Sequence, residues 1–294
     1  MIRELRGDRG FVAGAVIAGG MVLVAVAAPL LAALAGQDYT TYHDSLLDSA
    51  RGGVPIGSFG GISGEHWLGV EPGTGRDLFA RLVYGARVSL GVAVAATVLQ
   101  VLLGVTVGVT AGLGGRWTDA GLSRVIDLVL SVPALVMAIA LLAVVPPDWP
   151  RPLLLAAVIA VLGWGGTARI GRGETLTLRT RDYVAAAQVA GAPWWRVARR
   201  EILPGLTAPI LTYAALLLPT NMVVEAGLSF LGVGVRPPTP SWGQMLSSAT
   251  TWFRADPMYV LLPGLLLFLT LLSFVLVANG LRRVLDPRQR EVLR

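Results

Sequence analysis

Six long apolar stretches divide this 294-residue chain, and they restrict it to very few folds. The stretches cover residues 11–35, 88–113, 122–145, 153–168, 206–224 and 259–281. A helix of about 20 predominantly apolar residues crosses the hydrocarbon core of a bilayer, where the backbone has no water to bond. The pattern therefore predicts an all-α, polytopic membrane protein with six transmembrane helices, of which the fourth is short and interrupted by glycines.

Missing residue types exclude several classes of chemistry. The chain contains no cysteine, so it has no disulfide, thiolate metal site or cysteine nucleophile. All 24 basic residues are arginine, and without lysine the chain has no phosphate-binding Walker loop of its own. Energy derived from ATP must then come from another protein. A membrane-embedded enzyme would need titratable groups clustered within the spans, and a secondary transporter or channel would show inverted repeats; neither feature is evident.

The distribution of arginine predicts how the chain crosses the membrane. Cationic residues beside spans are retained on the cytoplasmic side. With the N-terminus inside, seventeen arginines lie in cytoplasmic segments and seven lie outside, so both termini are predicted to be cytoplasmic. Arg3, Arg6 and Arg9 precede the first stretch as in a secretory signal, but its apolar run exceeds the usual 7–15 or so residues, which favours an uncleaved span. The arginines form no continuous basic face, which argues against nucleic acid as a partner.

Two substantial segments are predicted outside the membrane. Residues 36–85 lack periodicity and indicate a loop with a short helix near residues 75–86. Residues 227–257 contain three closely spaced prolines, which cannot all lie in a regular helix. We divide the chain into a first span with its extracytoplasmic loop (1–85), a core of five spans (86–283) and a cytoplasmic tail (284–294).

Residues 169–205, on the cytoplasmic side, predict two short helices that meet at a bend. Asp182 is placed to cap an alanine-rich helix that runs to Ala190. Gly191 suits the left-handed position that ends this helix, and Pro193 suits the first turn of the next. The bend is therefore expected at Gly191.

A cationic face follows the bend. The spacing of Arg196, Arg199 and Arg200 puts them on one side of the second helix, with Trp194 and Val197 supplying apolar surface nearby. Small residues at the bend permit another surface to approach closely. Two interpretations stay open: the bend docks on a partner protein, or the helices form an interfacial hairpin on anionic lipid, with tryptophan at headgroup depth.

Several motifs together resemble one family of transport proteins. Residues 185–191 (AAAQVAG) and 202–204 (ILP) resemble the EAA signature of binding-protein-dependent importer permeases, the membrane subunits of ATP-binding-cassette uptake systems. Alanine at position 185 stands where that signature has glutamate. Residues 68–90 and 225–243, the latter beginning EAGLSFLGVG, resemble the dipeptide, oligopeptide and nickel branch, and residues 285–288 (LDPR) resemble its C-terminal end.

This resemblance implies a type I importer permease fold with a cytoplasmic coupling helix, in a bacterial inner membrane. The implied partners are a second homologous permease chain in a heterodimer, two cytoplasmic ATPase subunits and an extracytoplasmic substrate-binding protein. ATP and magnesium would be bound by the ATPases, leaving no cofactor, catalytic residue or metal site on this chain. Peptides are the implied substrate, with nickel or another small solute as the alternative. The residues assigned to coupling are Ala185, Ala186, Ala187, Gly191, Ala192, Pro193, Arg196 and Arg199.

Three residues near the end of the fifth stretch are assigned to the pathway or its gating: Glu225, Ser229 and Phe230. Glu225 lies about 28 Å of helical rise beyond residue 206, which places it near the outer interface. A charge costs less there than at mid-bilayer. A structural or gating role is therefore favoured over direct contact with substrate.

Other polar residues receive structural interpretations. Asp127 is expected to pair with Arg124, one turn away on the same helix. His43 and His66 are too few to form a metal site by themselves. The eight tryptophans, several of them near span ends, are expected to anchor the chain at the membrane interface.

Overall fold

The computed structural model describes residues 5, 7–146 and 149–285, and helices dominate them. The helices are α1 (Arg9–Ala35), α2 (Leu78–Leu113), α3 (Arg116–Ser131), α4 (Ala134–Val144), α5 (Arg151–Leu178), α6 (Asp182–Val189), α7 (Trp194–Val197), α8 (Leu203–Phe230), α9 (Trp242–Ala249) and α10 (Met258–Leu285). A short π-helix, Ala198–Ile202, joins α7 to α8. Arg3, Arg6 and nearly all of the predicted tail lie outside the described residues.

Five segments are long and apolar enough to cross a membrane: α1, α2, α5, α10 and the stretch from Trp194 to Phe230 that includes α7 and α8. The bent pair α3–α4 makes a sixth span if its two halves are counted together. The prediction of an all-α, polytopic membrane protein is confirmed.

A sharp bend breaks the third span where α3 meets α4. The two halves are bent by 82°. Val132 is extended, with φ −80° and ψ 130°, because the residue before a proline avoids the helical conformation. Pro133 has no N–H with which to continue the helical hydrogen bonds. Residues 122–145, predicted as one span, are therefore two helices.

Two further spans extend beyond their predicted ends. α2 begins at Leu78, ahead of the predicted start at residue 88, because the Asp77 side chain caps it and accepts the Ala80 N–H at 2.7 Å. The short helix predicted near residues 75–86 is the beginning of α2. α5 runs to Leu178, beyond the predicted end at residue 168. The proposed division between residues 85 and 86 falls inside α2.

A stripe of glycines brings α2 and α5 together. Gly104, Gly108 and Gly112 recur every four residues on α2. A Cβ at Gly108 would lie 2.6 Å from the Ala168 carbonyl oxygen, and a Cβ at Gly112 would lie 2.6 Å from the Thr175 side chain. Small residues in this pattern let helix backbones approach closely in a membrane. On the α5 side, Gly171 lies against Gly104 and Gly108 of this stripe.

The loops that join α1 to α2 and α8 to α10 form a layer with structure of its own, called the outer layer below because the arginine distribution predicts it outside the membrane. Its strands β1 (Leu47–Asp48) and β2 (Val54–Pro55) pair antiparallel. Helix α9 lies in the segment 227–257, for which no helix was predicted. It begins after the three closely spaced prolines, at Ser241, whose side chain accepts the Gln244 N–H at 3.2 Å. Trp242 is fully buried and donates to the Leu82 carbonyl at 3.0 Å, so this tryptophan is a core residue and not an interface anchor.

Candidate functional site

Residues 181–202, called the elbow below, form two helices that meet at Gly191, as predicted. Gly191 has a left-handed φ of +78°, and its N–H donates to the Gln188 carbonyl at 2.9 Å. The Ala192 N–H donates to the Ala187 carbonyl at 3.0 Å, which completes the end of α6. Nothing lies within 4 Å of a Cβ built at Gly191, so the backbone conformation, and not lack of space, favours glycine here.

Two details of the elbow differ from the prediction by one residue each. Arg181 is the N-cap of α6 and makes no side-chain cap bond, whereas Asp182 lies in the first turn, where a carboxylate complements the positive end of the helix dipole. Pro193 is the extended N-cap residue of α7, with ψ 153°, and does not lie in its first turn. The position of the bend is unaffected.

One side of the elbow is anchored in the bundle. Val184, Val197 and Ile202 are buried in a cluster with Val109 of α2 and Leu206 of α8. These contacts join both elbow helices to two spans. A displacement of the elbow as a unit would therefore be transmitted to those spans.

The other side of the elbow is exposed and carries apolar and cationic groups. Ala185, Ala186 and Pro193 are exposed, and Ala187 and Ala192 are half-buried. Larger exposed side chains surround them: Tyr183, Val189, Trp194, Trp195, Arg196, Arg199 and Arg200. The coupling residues named from the sequence are thus exposed or half-buried, although Ala192 also packs against the buried cluster; small residues and arginines are accessible together on the elbow.

Hydrogen bonds from arginine join the end of α5 nearest the elbow to its neighbours. Arg172 donates through Nε and Nη2 to the two carboxylate oxygens of Asp119 on α3, at 2.5 and 2.8 Å. Such a two-pronged pair fixes orientation as well as distance. Arg179 donates to the Gly112 carbonyl of α2 at 2.9 Å. The end of α5 that leads into the elbow is therefore held to both α2 and α3.

A buried pair of amides lies within the bundle, and the sequence analysis missed it. Asn221 donates to the Gln100 side-chain oxygen at 2.8 Å, and Gln100 donates back at 3.2 Å. Their remaining N–H groups bond the Thr97 hydroxyl and the Ile159 carbonyl at 2.9 and 3.0 Å. The pair borders a cavity of about 230 Å³. The sequence did contain a signal for this pair: each amide is an isolated polar residue within an apolar stretch. A buried amide without a hydrogen-bond partner is unfavourable, so such residues are expected to pair.

A buried ionic cluster in the outer layer was not predicted from the sequence. The Glu71 carboxylate pairs with Arg76 at 2.6 Å and with Arg81 at 3.4 Å, and the Tyr259 hydroxyl donates to it. Arg81 also donates to the Gln244 side chain at 2.9 Å. The cluster joins the first outer loop to α2, α9 and α10. Sequence spacing gives no signal for it, because Glu71 and Tyr259 meet only in the folded chain.

The three residues assigned to the pathway or its gating occupy different environments. Glu225 is fully buried, and the Ser229 hydroxyl donates to it at 2.8 Å. Ser229 in turn accepts the Val235 N–H at 3.1 Å, which holds the turn after α8. Phe230 is exposed. A solute cannot reach Glu225 or Ser229 in this conformation, and a role in gating stays a prediction.

The remaining polar predictions concern Asp127 and the two histidines. Asp127 pairs with Arg169 of α5 at 2.9 Å and not with Arg124, because α5 runs alongside α3 and presents its arginine to the carboxylate. His43 and His66 lie with ring centroids 4.9 Å apart. Each imidazole already has a structural partner: Nδ1 of His66 contacts Asp77 at 2.8 Å, and Nδ1 of His43 contacts a backbone carbonyl at 3.0 Å.

Known proteins resemble the chain along most of its length. The family model for the binding-protein-dependent transport system inner membrane component matches residues 104–291. The dipeptide transport system permease protein of Alkalihalophilus pseudofirmus is 34% identical over 288 residues, covering 98% of this chain and 89% of the relative. The oligopeptide transport system permease protein of Bacillus subtilis is 35% identical over 290 residues, with coverages of 98% and 88%. The glutathione transport system permease protein of Salmonella typhimurium is 35% identical over 275 residues, with coverages of 93% and 86%.

Proposed function

The chain belongs to the family of binding-protein-dependent transport system inner membrane components, and from this premise we propose that it is a permease subunit of an ATP-driven importer of di- or oligopeptides. Its similarity to relatives named for dipeptide, oligopeptide and glutathione transport supports a peptide substrate. Family membership favours this function over a secondary transporter, a channel or a membrane-embedded enzyme. Nickel transport has no comparable support among these three relatives.

Four kinds of partner complete the proposed importer. A second, homologous permease chain forms the other half of the pathway, and the lipid bilayer surrounds the two. Two cytoplasmic ATPase subunits bind ATP and magnesium, in keeping with the absence of lysine from this chain. An extracytoplasmic binding protein delivers the peptide. The arginine distribution supports an orientation with both termini and the elbow in the cytoplasm.

The proposed mechanism rests on the exposed surface of the elbow. Three buried residues, Val184, Val197 and Ile202, attach the elbow to the bundle. We assign this surface to docking on an ATPase subunit. ATP binding closes the ATPase pair, the docked elbow moves with it, and the spans change between inward-open and outward-open arrangements. Because α7, the π-helix and α8 follow one another without a loop, movement of the elbow is passed directly to the fifth span.

A substitution at the bend tests the docking assignment. Gly191→Arg places a long cation on the docking surface, and its left-handed backbone costs a non-glycine residue about 1–2 kcal/mol locally. We expect the variant to insert in the membrane but to hydrolyse ATP without peptide uptake. Gly191→Ala measures the backbone effect alone, and Gly115→Arg places the same cation at another open glycine position. Normal peptide-stimulated uptake by Gly191→Arg would argue against docking.

Cross-linking separates docking from the lipid hairpin that the sequence left open. Because the chain has no native cysteine, Val189→Cys creates a unique thiol at a position that is 90% exposed. A thiol-specific photo-crosslinker there should capture an ATPase subunit in the assembled importer and lose it when the ATPases are omitted. Capture of lipid alone in both samples would support the interfacial hairpin.

A further inference from the structure

A cavity of about 270 Å³ opens in the outer layer between residues 54–60 and 255–258. Apolar side chains form most of its wall, including Pro55, Phe59 and Pro257. Asp256 is the one charged residue among the described residues that line it. A carboxylate thus lies in the wall of an otherwise apolar recess, on the side where we place the binding protein.

The Asp256 carboxylate lacks a full set of partners. The side chain is only 3% exposed, and Oδ1 accepts the Met258 N–H at 3.2 Å at the start of α10. Oδ2 has no hydrogen-bond partner in the part of the chain that the structure describes. Burial raises the pKa of Asp256, and backbone amides act in the opposite direction. A buried acceptor without a donor is unfavourable, so this oxygen would be stabilised by any donor that reaches it.

A glycine-rich segment covers that oxygen. A Cβ built at Gly60 would lie 2.9 Å from Asp256 Oδ2, so the backbone packs there only because residue 60 has no side chain. Neighbouring Phe59 has a left-handed φ of +52°, which is unfavourable for an aromatic residue, and its ring is exposed at the mouth of the cavity. A partner that pairs with the carboxylate must therefore displace this segment.

We infer that this cavity, the Asp256 socket, receives a lysine or arginine side chain of the extracytoplasmic binding protein; the inference rests on the proposed function. The aliphatic stem lies on the apolar wall, and the cationic group pairs with the carboxylate. A peptide in its zwitterionic form fits less well, because no cationic side chain lines the socket to receive its carboxylate. A divalent metal also fits less well, because calcium needs about six to eight oxygen ligands.

The surroundings of the socket suit a protein interface. Large apolar side chains lie within two residues of the lining residues in sequence and are more than half exposed: Ile56, Ile62 and Phe253. Aromatic groups are enriched in protein interfaces, and a charge pair enclosed by apolar contacts is shielded from water. The socket would thus provide one charged contact within a mainly apolar docking surface.

The charge-neutral variant Asp256→Asn gives the first test. It keeps the size of the side chain and an oxygen to cap α10, but it removes the negative charge. We expect the purified binding protein to bind the complete importer in nanodiscs about tenfold more weakly, a difference of about 1.4 kcal/mol, and with less dependence on salt. Glu65→Gln removes an exposed carboxylate from the same outer layer and should leave the affinity unchanged.

A second variant leaves Asp256 in place. Phe59→Arg supplies a cation from the chain itself at the mouth of the socket and should weaken docking about tenfold. Phe59→Gln removes the ring without adding charge and should cost less. Full affinity in both Asp256→Asn and Phe59→Arg would overturn the inference. So would a photo-crosslinker at residue 59 that captures phospholipid and never the binding protein.

Wild-type controls separate this inference from the proposed function. If wild-type importer binds the binding protein and imports peptide while both socket variants behave normally, only the socket inference fails. If wild-type importer neither binds a binding protein nor requires ATPases, the proposed function fails first. Assembly and basal ATP hydrolysis are measured in every variant and should match the wild type in the Glu65→Gln control.

Discussion

The contact between α2 and α5 gives a prediction whose magnitude follows from the structure. In Gly108→Ala the new Cβ would lie 2.6 Å from the Ala168 carbonyl oxygen and 2.8 Å from the Arg172 nitrogen, whereas ordinary contact begins at 3.4 Å. Both neighbours are backbone atoms and cannot rotate away, so the two helices must separate. Overpacking of this kind costs about 1–3 kcal/mol. The contact between α2 and α5, called the α2–α5 seam below, should therefore be destabilised, although alanine favours the helical conformation more than glycine does.

Gly91→Ala is the matched control, because residue 91 lies on the same helix and nothing is within 4 Å of its Cβ position. Each variant gains the same helix propensity, about 1 kcal/mol in water, so this contribution cancels in the comparison. The difference in unfolding free energy between the two variants should then be about 1–3 kcal/mol.

Equilibrium unfolding in mixed micelles with increasing SDS, followed by tryptophan fluorescence, measures this difference. Gly108→Ala should also reduce peptide uptake per ATP hydrolysed, because α5 leads directly into the elbow. Equal stability of the two variants would refute the close approach of α2 and α5. Lower stability with unchanged coupling would instead refute the idea that this seam transmits motion from the elbow.

Three further substitutions test the polar clusters. Glu71→Gln leaves two buried arginines without their counter-charge and should cost about 3–5 kcal/mol in the same unfolding assay, whereas Glu65→Gln should cost almost nothing. Asn221→Ala leaves the partner amide and hydroxyl unpaired and should cost about 1–3 kcal/mol more than Thr220→Ala, a control on the same cavity wall. Asp119→Asn should change stability by less than about 1 kcal/mol, because the Asp119–Arg172 pair is partly exposed. The variant should nevertheless lower peptide uptake relative to ATP hydrolysis. Unchanged coupling would show that this pair only holds the helix ends together.

Local features could be predicted from the sequence, and contacts between distant segments could not. The spans follow from apolar runs, and the bend follows from the need for a left-handed residue at Gly191. Helix α9 was missed because three prolines close to it suggested irregular structure for the whole segment. The extent of α5 was underestimated because its glycines were interpreted as breaks, although they lie within one continuous helix and Gly171 packs against the glycine stripe of α2. Glu71 and Tyr259 are far apart in sequence, so no periodicity relates them.

The outer ionic cluster, the α2–α5 seam and the broken third span suggest where the bundle can change shape. Buried ion pairs resist separation at the outer end, since an unpaired charge there is costly. At the inner end the arginine contacts of α5 are only partly buried. Between these ends, Val132 and Pro133 interrupt the hydrogen bonds of the third span, so α3 and α4 can rotate relative to each other without breaking a helix. In the proposed importer, movement that enters through the elbow and α5 would carry α3 through the Asp119–Arg172 pair, and the break at Val132 and Pro133 would absorb it. The outer layer, held by its buried ion pairs, would stay assembled for the proposed binding protein.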